Sequence, residues 1–195
     1  MNFLAHVFLS GTNDHIKIGN FMADGIHGKN FDEFPLDVQK GIRIHREIDS
    51  FTDFHPIFRQ SKHRLHERYG HYSGVIIDIF YDHFLAKNFA SYSDIPLEIF
   101  ISDFYTVLDA NFEILTPRFK TILPVLKKEN WFLLYATTEG LTHILYMMDR
   151  RTKLRSKMQF SIEELELFYS EFESEFTLFF IEVQAFVKEK MLELK

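Results

Sequence analysis

In the segment YSGVIIDIFYDHFLA, residues 72–86, only Asp78, Asp82 and His83 can carry charge near neutral pH. A helix that is apolar on every side is normally buried. Residues four apart share one helix face, so Asp78 and Asp82 stack in line with Leu85 and Phe89. Two carboxylates in that setting repel, and each costs several kcal/mol to desolvate. Either a bound cation offsets both costs, or each acid caps a neighbouring helix or pairs with an arginine. Residues 41–53, GIRIHREIDSFTD, form a second constellation. Ile44, Ile48 and Phe51 make a core stripe, while His45 and Asp49, also four apart, lie on its edge and can converge on one point. Imidazole with carboxylate suits a divalent Mn, Fe or Zn ion, although the same pair is also an ordinary surface pair. Asp53, one turn on, is a further ligand or the cap of the next element ahead of Pro56.

Two further residues interrupt apolar runs near the start. His6 sits inside NFLAHVFL, and Asp24 closes GNFMAD. Their plainer readings are a buried neutral imidazole bonded to a carbonyl and a helix-end residue before Gly25. His15, His27, His55, His63, His66, His71 and His143 read as mostly solvated. Co-occurrence carries the case: distant segments each place a His or Asp among apolar residues. Helices lining a shared pocket can build a one-metal or two-metal hydrolase site from such parts.

The elements that must position these residues are helices. The C-terminal segment is the clearest, with Ser161 and Glu164 in a capping-box pattern. Leu165, Tyr169, Phe172, Phe176, Phe179, Val183 and Phe186 follow as a single helical stripe. Unbroken to about residue 193, this helix would span on the order of 50 Å. Helices are also expected near Asp14–Ile26, Leu36–Phe51, Tyr72–Phe89, Leu97–Leu115, Pro117–Lys127 and Trp131–Asp149. Four of the five prolines fall at joints, and Pro124 predicts a kink or an early stop. No segment alternates as a strand does. The fold class is therefore all-α, a single helical bundle over residues 1–195 with a long C-terminal helix.

Composition narrows the function. The 195 residues are 46% apolar, with 23 phenylalanines and 8 tyrosines, which excludes disorder. The absence of cysteine excludes disulfides, thiolate metal sites and cysteine nucleophiles. A net charge of −6 argues against a general nucleic-acid binder. No apolar stretch is long enough to cross a bilayer, and the start lacks the basic region and cleavage site of a signal peptide. These features point to the cytoplasm.

MNFLAH at the start, GNFMAD at 19–24, HREIDSFTD at 45–53 and DIFYDHFL at 78–85 resemble, in that order, the bacterial acyl carrier protein phosphodiesterases. Beyond residue 90 the similarity is looser, carried mainly by RRTKL at 150–154. The resemblance implies an all-helical, HD-domain-like enzyme that removes the 4′-phosphopantetheine arm from holo acyl carrier protein with a divalent metal, typically Mn²⁺. The familiar adjacent His-Asp pair is absent: Asp82-His83 is reversed, and His45 and Asp49 are separated.

On that basis the expected metal ligands are His6, Asp24, His45, Asp49, Asp78 and Asp82, serving two ions or including residues that orient the true ligands. Asp82, His83 and Arg46 would take part in catalysis, with His83 donating a proton or holding a ligand. Arg43 and Arg46 would grip phosphate. Carrier proteins of this class are acidic, so an acidic enzyme must concentrate positive charge where its partner docks. Arg59, Lys62, Arg64 and Arg68 form one concentration. Arg150, Arg151, Lys153, Arg155 and Lys157 form a second, with Arg151 and Arg155 the expected contacts. Two rival readings remain: an HD-type phosphohydrolase of a small nucleotide or phosphate ester, and a non-catalytic helical module with a structural His/Asp cluster.

Overall fold

The computed structural model describes residues 1–28 and 31–194. Every regular element among them is helical: α1 Phe3–Leu9, α2 Asp14–Met22, α3 Leu36–Phe54, α4 Pro56–Tyr69, α5 Ser73–Lys87 and α6 Leu97–Ala110. α7 Pro117–Lys128, α8 Trp131–Leu134, α9 Thr138–Arg151, α10 Ile162–Leu167 and α11 Tyr169–Glu193 follow, with short 3₁₀ turns between some of them. None of these helices is long and apolar enough to cross a membrane.

α5 is the buried axis. Ile76, Ile77, Ile79, Phe80, Tyr81, Phe84 and Leu85 are all fully shielded, as a helix apolar on every side requires. α11 lays the expected aromatic stripe against α3, α4 and α5, with the rings of Phe179 and Tyr81 5.3 Å apart and those of Phe51 and Phe186 4.5 Å apart. α2 and α3 approach through two glycines. A Cβ on Gly19 would collide with the Val38 carbonyl, and one on Gly41 with that of Ile16. This close crossing brings the GNFMAD block against His45.

Four expectations are corrected. α1 and α4 are helices that the pattern did not announce, the first because it is short and the second because most of its face is charged. The C-terminal helix breaks at Phe168. Ser161 stands at the start of α10 but makes no side-chain capping bond, its hydroxyl donating instead to the Met158 carbonyl, and Glu164 is taken by Arg68 and Tyr69 of α4 at 2.6 Å each. The Trp131–Asp149 helix is two, because Thr137 Oγ1 accepts the Gly140 amide at 3.1 Å and starts α9 afresh. Pro124 does not stop α7, whose buried face of Phe119, Leu123 and Leu126 carries it on to Lys128.

Candidate metal centre

His6 on α1 and His45 on α3 are both buried, and their rings stack 4.1 Å apart at 23°. Between them and the interior lies Asn20 of α2, wholly shielded. Its Oδ1 is 2.8 Å from His6 Nδ1 and 3.1 Å from His45 Nδ1. Its Nδ2 donates to the His6 carbonyl and to Ser10 Oγ, both at 2.9 Å. An oxygen facing two ring nitrogens must receive a proton from each, so Asn20 fixes both rings with hydrogen on Nδ1. Both Nε2 lone pairs are thereby turned the other way when the rings are neutral.

What they face is carboxylate. Asp49 Oδ1 lies 3.2 Å from His6 Nε2, and its Oδ2 lies 3.1 Å from His45 Nε2. Asp24, in the turn after α2, places Oδ1 3.1 Å from His45 Nε2. His6 Nε2 is close to Asp49 but off hydrogen-bonding direction, and it has no partner. Burial, with the charge of His45 beside it, presses His6 down to about 4. Burial also opposes charge on His45, but the hydrogen bonds it donates to Asp24 and Asp49 outweigh it and lift this imidazole to about 9. Burial works against ionisation of Asp49 too, yet the two imidazoles hold its carboxyl far below the usual range.

One donor atom each from His6, His45 and Asp49 falls within 4.8 Å of the other two. A bare, buried Nε2 aimed at a carboxylate oxygen leaves two acceptors with no donor between them. A divalent cation answers that arrangement, and mixed N/O donors suit Mn, Fe or Zn. The residues present therefore fit a metal.

Asp24 and Asp49 open onto a cavity of about 380 Å³. Its walls also carry Asp53, Asp78, Trp131, Arg118 of α7 and Arg151 at the end of α9. Acids and two guanidinium groups thus share one hollow, which can hold a cation and an anionic ester together.

The model of the family described as "Acyl carrier protein phosphodiesterase" matches residues 1–183. This chain belongs to the acyl carrier protein phosphodiesterase family. An acyl carrier protein phosphodiesterase of Photorhabdus laumondii is 32% identical over 184 residues, covering 92% of this chain and 91% of that one. Those of Pectobacterium atrosepticum and Escherichia coli O157:H7 are each 29% identical, over 98% of this chain and 100% of their own. No solved structure matches the chain.

The four blocks that carry the acyl carrier protein phosphodiesterase resemblance divide into two groups. His6, Asp24, His45 and Asp49 come together as described. Asp78 and Asp82 do not join them. Asp78 lines the cavity but holds the Met1 amino group at 2.7 Å. Asp82 is fully buried and accepts the Leu4 amide at 2.8 Å, Asn2 at 3.2 Å and Ala5 at 3.3 Å. Asp78 thus meets an amino group, and Asp82 the positive N-terminal end of α1. Burial pushes Asp82 up to about 7, against the pull of those donors.

His83 is likewise elsewhere. Its ring binds the Tyr135 carbonyl at 2.7 Å and Tyr169 Oη at 2.8 Å, so both nitrogens are committed to packing away from the cavity. Arg46 reaches the Ile26 and Gly28 carbonyls at 3.2 and 2.7 Å and lies over Phe31, as does exposed Arg43. Both brace the segment after Asp24 and do not line the cavity. Arg151 does line it, and Arg155 is exposed on the following loop. His55, expected in solvent, is buried as the cap of α4, its Nδ1 accepting the Ile57 amide at 3.3 Å.

Sequence reasoning missed three site residues. Asn20 stood inside GNFMAD, where a polar amide among apolar neighbours was the available signal. Arg118 and Trp131 lie in segments whose patterns are those of ordinary helices, and nothing local announced them.

Proposed function

We propose that this chain hydrolyses the phosphodiester joining 4′-phosphopantetheine to a serine of holo acyl carrier protein, using a divalent metal, Mn²⁺ in the first instance. The observation that carries the reading is the pair of imidazoles, locked by Asn20 with Nε2 toward Asp49, a carboxylate that itself lines a cavity shared with Arg118 and Arg151. Family membership supplies the substrate class.

His6, His45 and Asp49 would hold the ion, with Asp24 completing its surroundings. When bound, such an ion neutralises charge on phosphoryl oxygens and makes water a better nucleophile. The remaining work falls to the chain. Arg118 and Arg151, pointing into the same hollow, pair with the phosphodiester oxygens and hold phosphorus toward the cluster. Water adds to phosphorus, the bond from phosphorus to the serine oxygen breaks, and that oxygen leaves as the carrier's hydroxyl with a proton from solvent. Trp131 gives the pantetheine arm an apolar wall. Two imidazoles and carboxylates on helices are also what HD-type phosphohydrolase chemistry asks of a site.

Incubating the purified chain with holo carrier protein and Mn²⁺ tests this by mass spectrometry. The carrier should lose the mass of its prosthetic group and free 4′-phosphopantetheine should appear. An unchanged carrier mass alongside rapid cleavage of a small phosphate ester would move the assignment to a small-molecule phosphohydrolase.

A further inference from the structure

The two basic concentrations meet different fates. On α4, Arg64 is held by Glu175 at 2.5 Å and Arg68 by Glu163 and Glu164 at 2.6 Å, which leaves only Arg59 and Lys62 of that set without an ion pair to a described carboxylate. Arg150, Arg151, Lys153, Arg155 and Lys157, five cations in the eight residues 150–157, form no ion pair with any described carboxylate. All five are exposed. In a chain of net charge −6, this is positive charge kept free.

The backbone beneath it is strained and pinned. Lys153 and Leu154 are consecutive left-handed residues, with φ of 58° and 62°, and Lys157 has φ of 56°. Side chains with a Cβ pay to sit there, and such strain persists only where surrounding structure imposes it. Asp149, wholly buried, imposes it. Its Oδ1 accepts Ser156 Oγ at 2.6 Å, and its carbonyl accepts Thr152 Oγ1 at 2.8 Å and the Leu154 amide at 2.9 Å. Charges that merely keep a surface wet need no such frame. At the bend Leu154 is 53% exposed, an apolar contact set among the cations. Arg151, at the start of the loop, opens onto the cavity.

We propose that residues 150–157 are a preformed docking platform for an acidic face of the carrier-protein substrate, with Arg151 joining the platform to the cavity. The inference rests on the carrier-protein reading above for its occupant, and on charge complementarity and the pinned backbone for its place. A second occupant of like charge, an anionic lipid surface, is the competing outcome.

The test uses Lys153→Glu/Arg155→Glu/Lys157→Glu, which leaves the cavity residues untouched. Binding of apo carrier protein, measured by interferometry, should weaken about tenfold, and KM for holo carrier protein should rise by a similar factor with kcat within about twofold. Wild-type binding should weaken with added salt and the variant's much less. Circular dichroism and Mn²⁺ affinity should not change. A second variant, Lys153→Gly, relieves the left-handed residue. It should raise the unfolding temperature while weakening carrier binding. Equal carrier binding by wild type and the triple variant overturns the platform, whatever the turnover. Loss of binding to phosphatidylglycerol vesicles with carrier binding intact also overturns it, in favour of a lipid surface. Carrier binding that depends on the loop, without any release of the prosthetic group, would keep the platform and refute the proposed activity.

Discussion

His45/Asp49 on α3 and Asp78/Asp82 on α5 look alike in sequence, each a pair of potential ligands four residues apart on one helix face. Their environments are opposite. Asp82 meets three backbone amides and Asp78 an amino group, so the protein itself supplies their positive partners. In the other cluster a single imidazole, His45, serves the carboxylates of both Asp24 and Asp49, and His6 Nε2 faces Asp49 bare. The spacing is the same, and what separates a ligand from a cap is whether donors have already been provided. Burial of a carboxylate therefore calls for a cation only after its amide neighbours have been counted.

The largest contrast should come from Asp49→Ala. This variant should lose Mn²⁺ binding and carrier-protein turnover beyond detection while keeping its helical circular dichroism, measured by equilibrium dialysis and mass spectrometry. Asn20→Ala comes next. Freed of its shared oxygen, each ring can place its proton on Nε2, and Mn²⁺ affinity should fall by about 10–100-fold. Asn20→Asp would also keep an oxygen acceptor for the rings and should recover part of that loss. If Asn20→Ala binds Mn²⁺ as tightly as wild type, the tautomer argument fails.

Asp82→Asn should act on the opposite side of the comparison. It weakens the cap of α1 and should cost about 1–3 kcal/mol in denaturant unfolding, with Mn²⁺ affinity changed by less than about threefold. Loss of metal binding in that variant would return Asp82 to the site. A smaller effect distinguishes the two imidazoles. With His45 lifted to about 9 and His6 pressed to about 4, only His45 carries a proton to be displaced at neutral pH. Calorimetry in buffers of different ionisation enthalpy should show about one proton released per Mn²⁺ at pH 7, with affinity climbing as pH rises toward 9. His83→Ala should be the mildest, lowering stability by about 1 kcal/mol and leaving kcat unaltered.

Much of the fold was legible because its burial is periodic. The α11 stripe and the all-apolar α5 follow from residue spacing alone. The breaks were not legible. That Glu164 leaves its capping box for Arg68 and Tyr69 is decided by α4, some ninety residues earlier in the chain, and that charged helix gave no apolar stripe to read. The site divides on the same line. His6 and Asp24 could be nominated because each interrupts an apolar run, and His45 and Asp49 because their four-residue spacing sets them together on the edge of a core stripe. Asp78 and Asp82 satisfied the same criterion, and only the three-dimensional position of α1 shows what partners them. Asn20 passed unnoticed because an amide is rarely a ligand, and what it does is hold the Nδ1 side of the two imidazoles proposed to bind the ion. Arg118 reaches the cavity through the packing of α7, which no local pattern encodes.

In the proposed site His6 and His45 present their Nε2 atoms to one divalent cation. Electron spin echo envelope modulation of the protein loaded with Mn²⁺ reads this directly. The signal should show coupling to two imidazole nitrogens, reduced to one in His6→Ala and in His45→Ala. Coupling absent from the wild type, or unchanged when either histidine is removed, would contradict it.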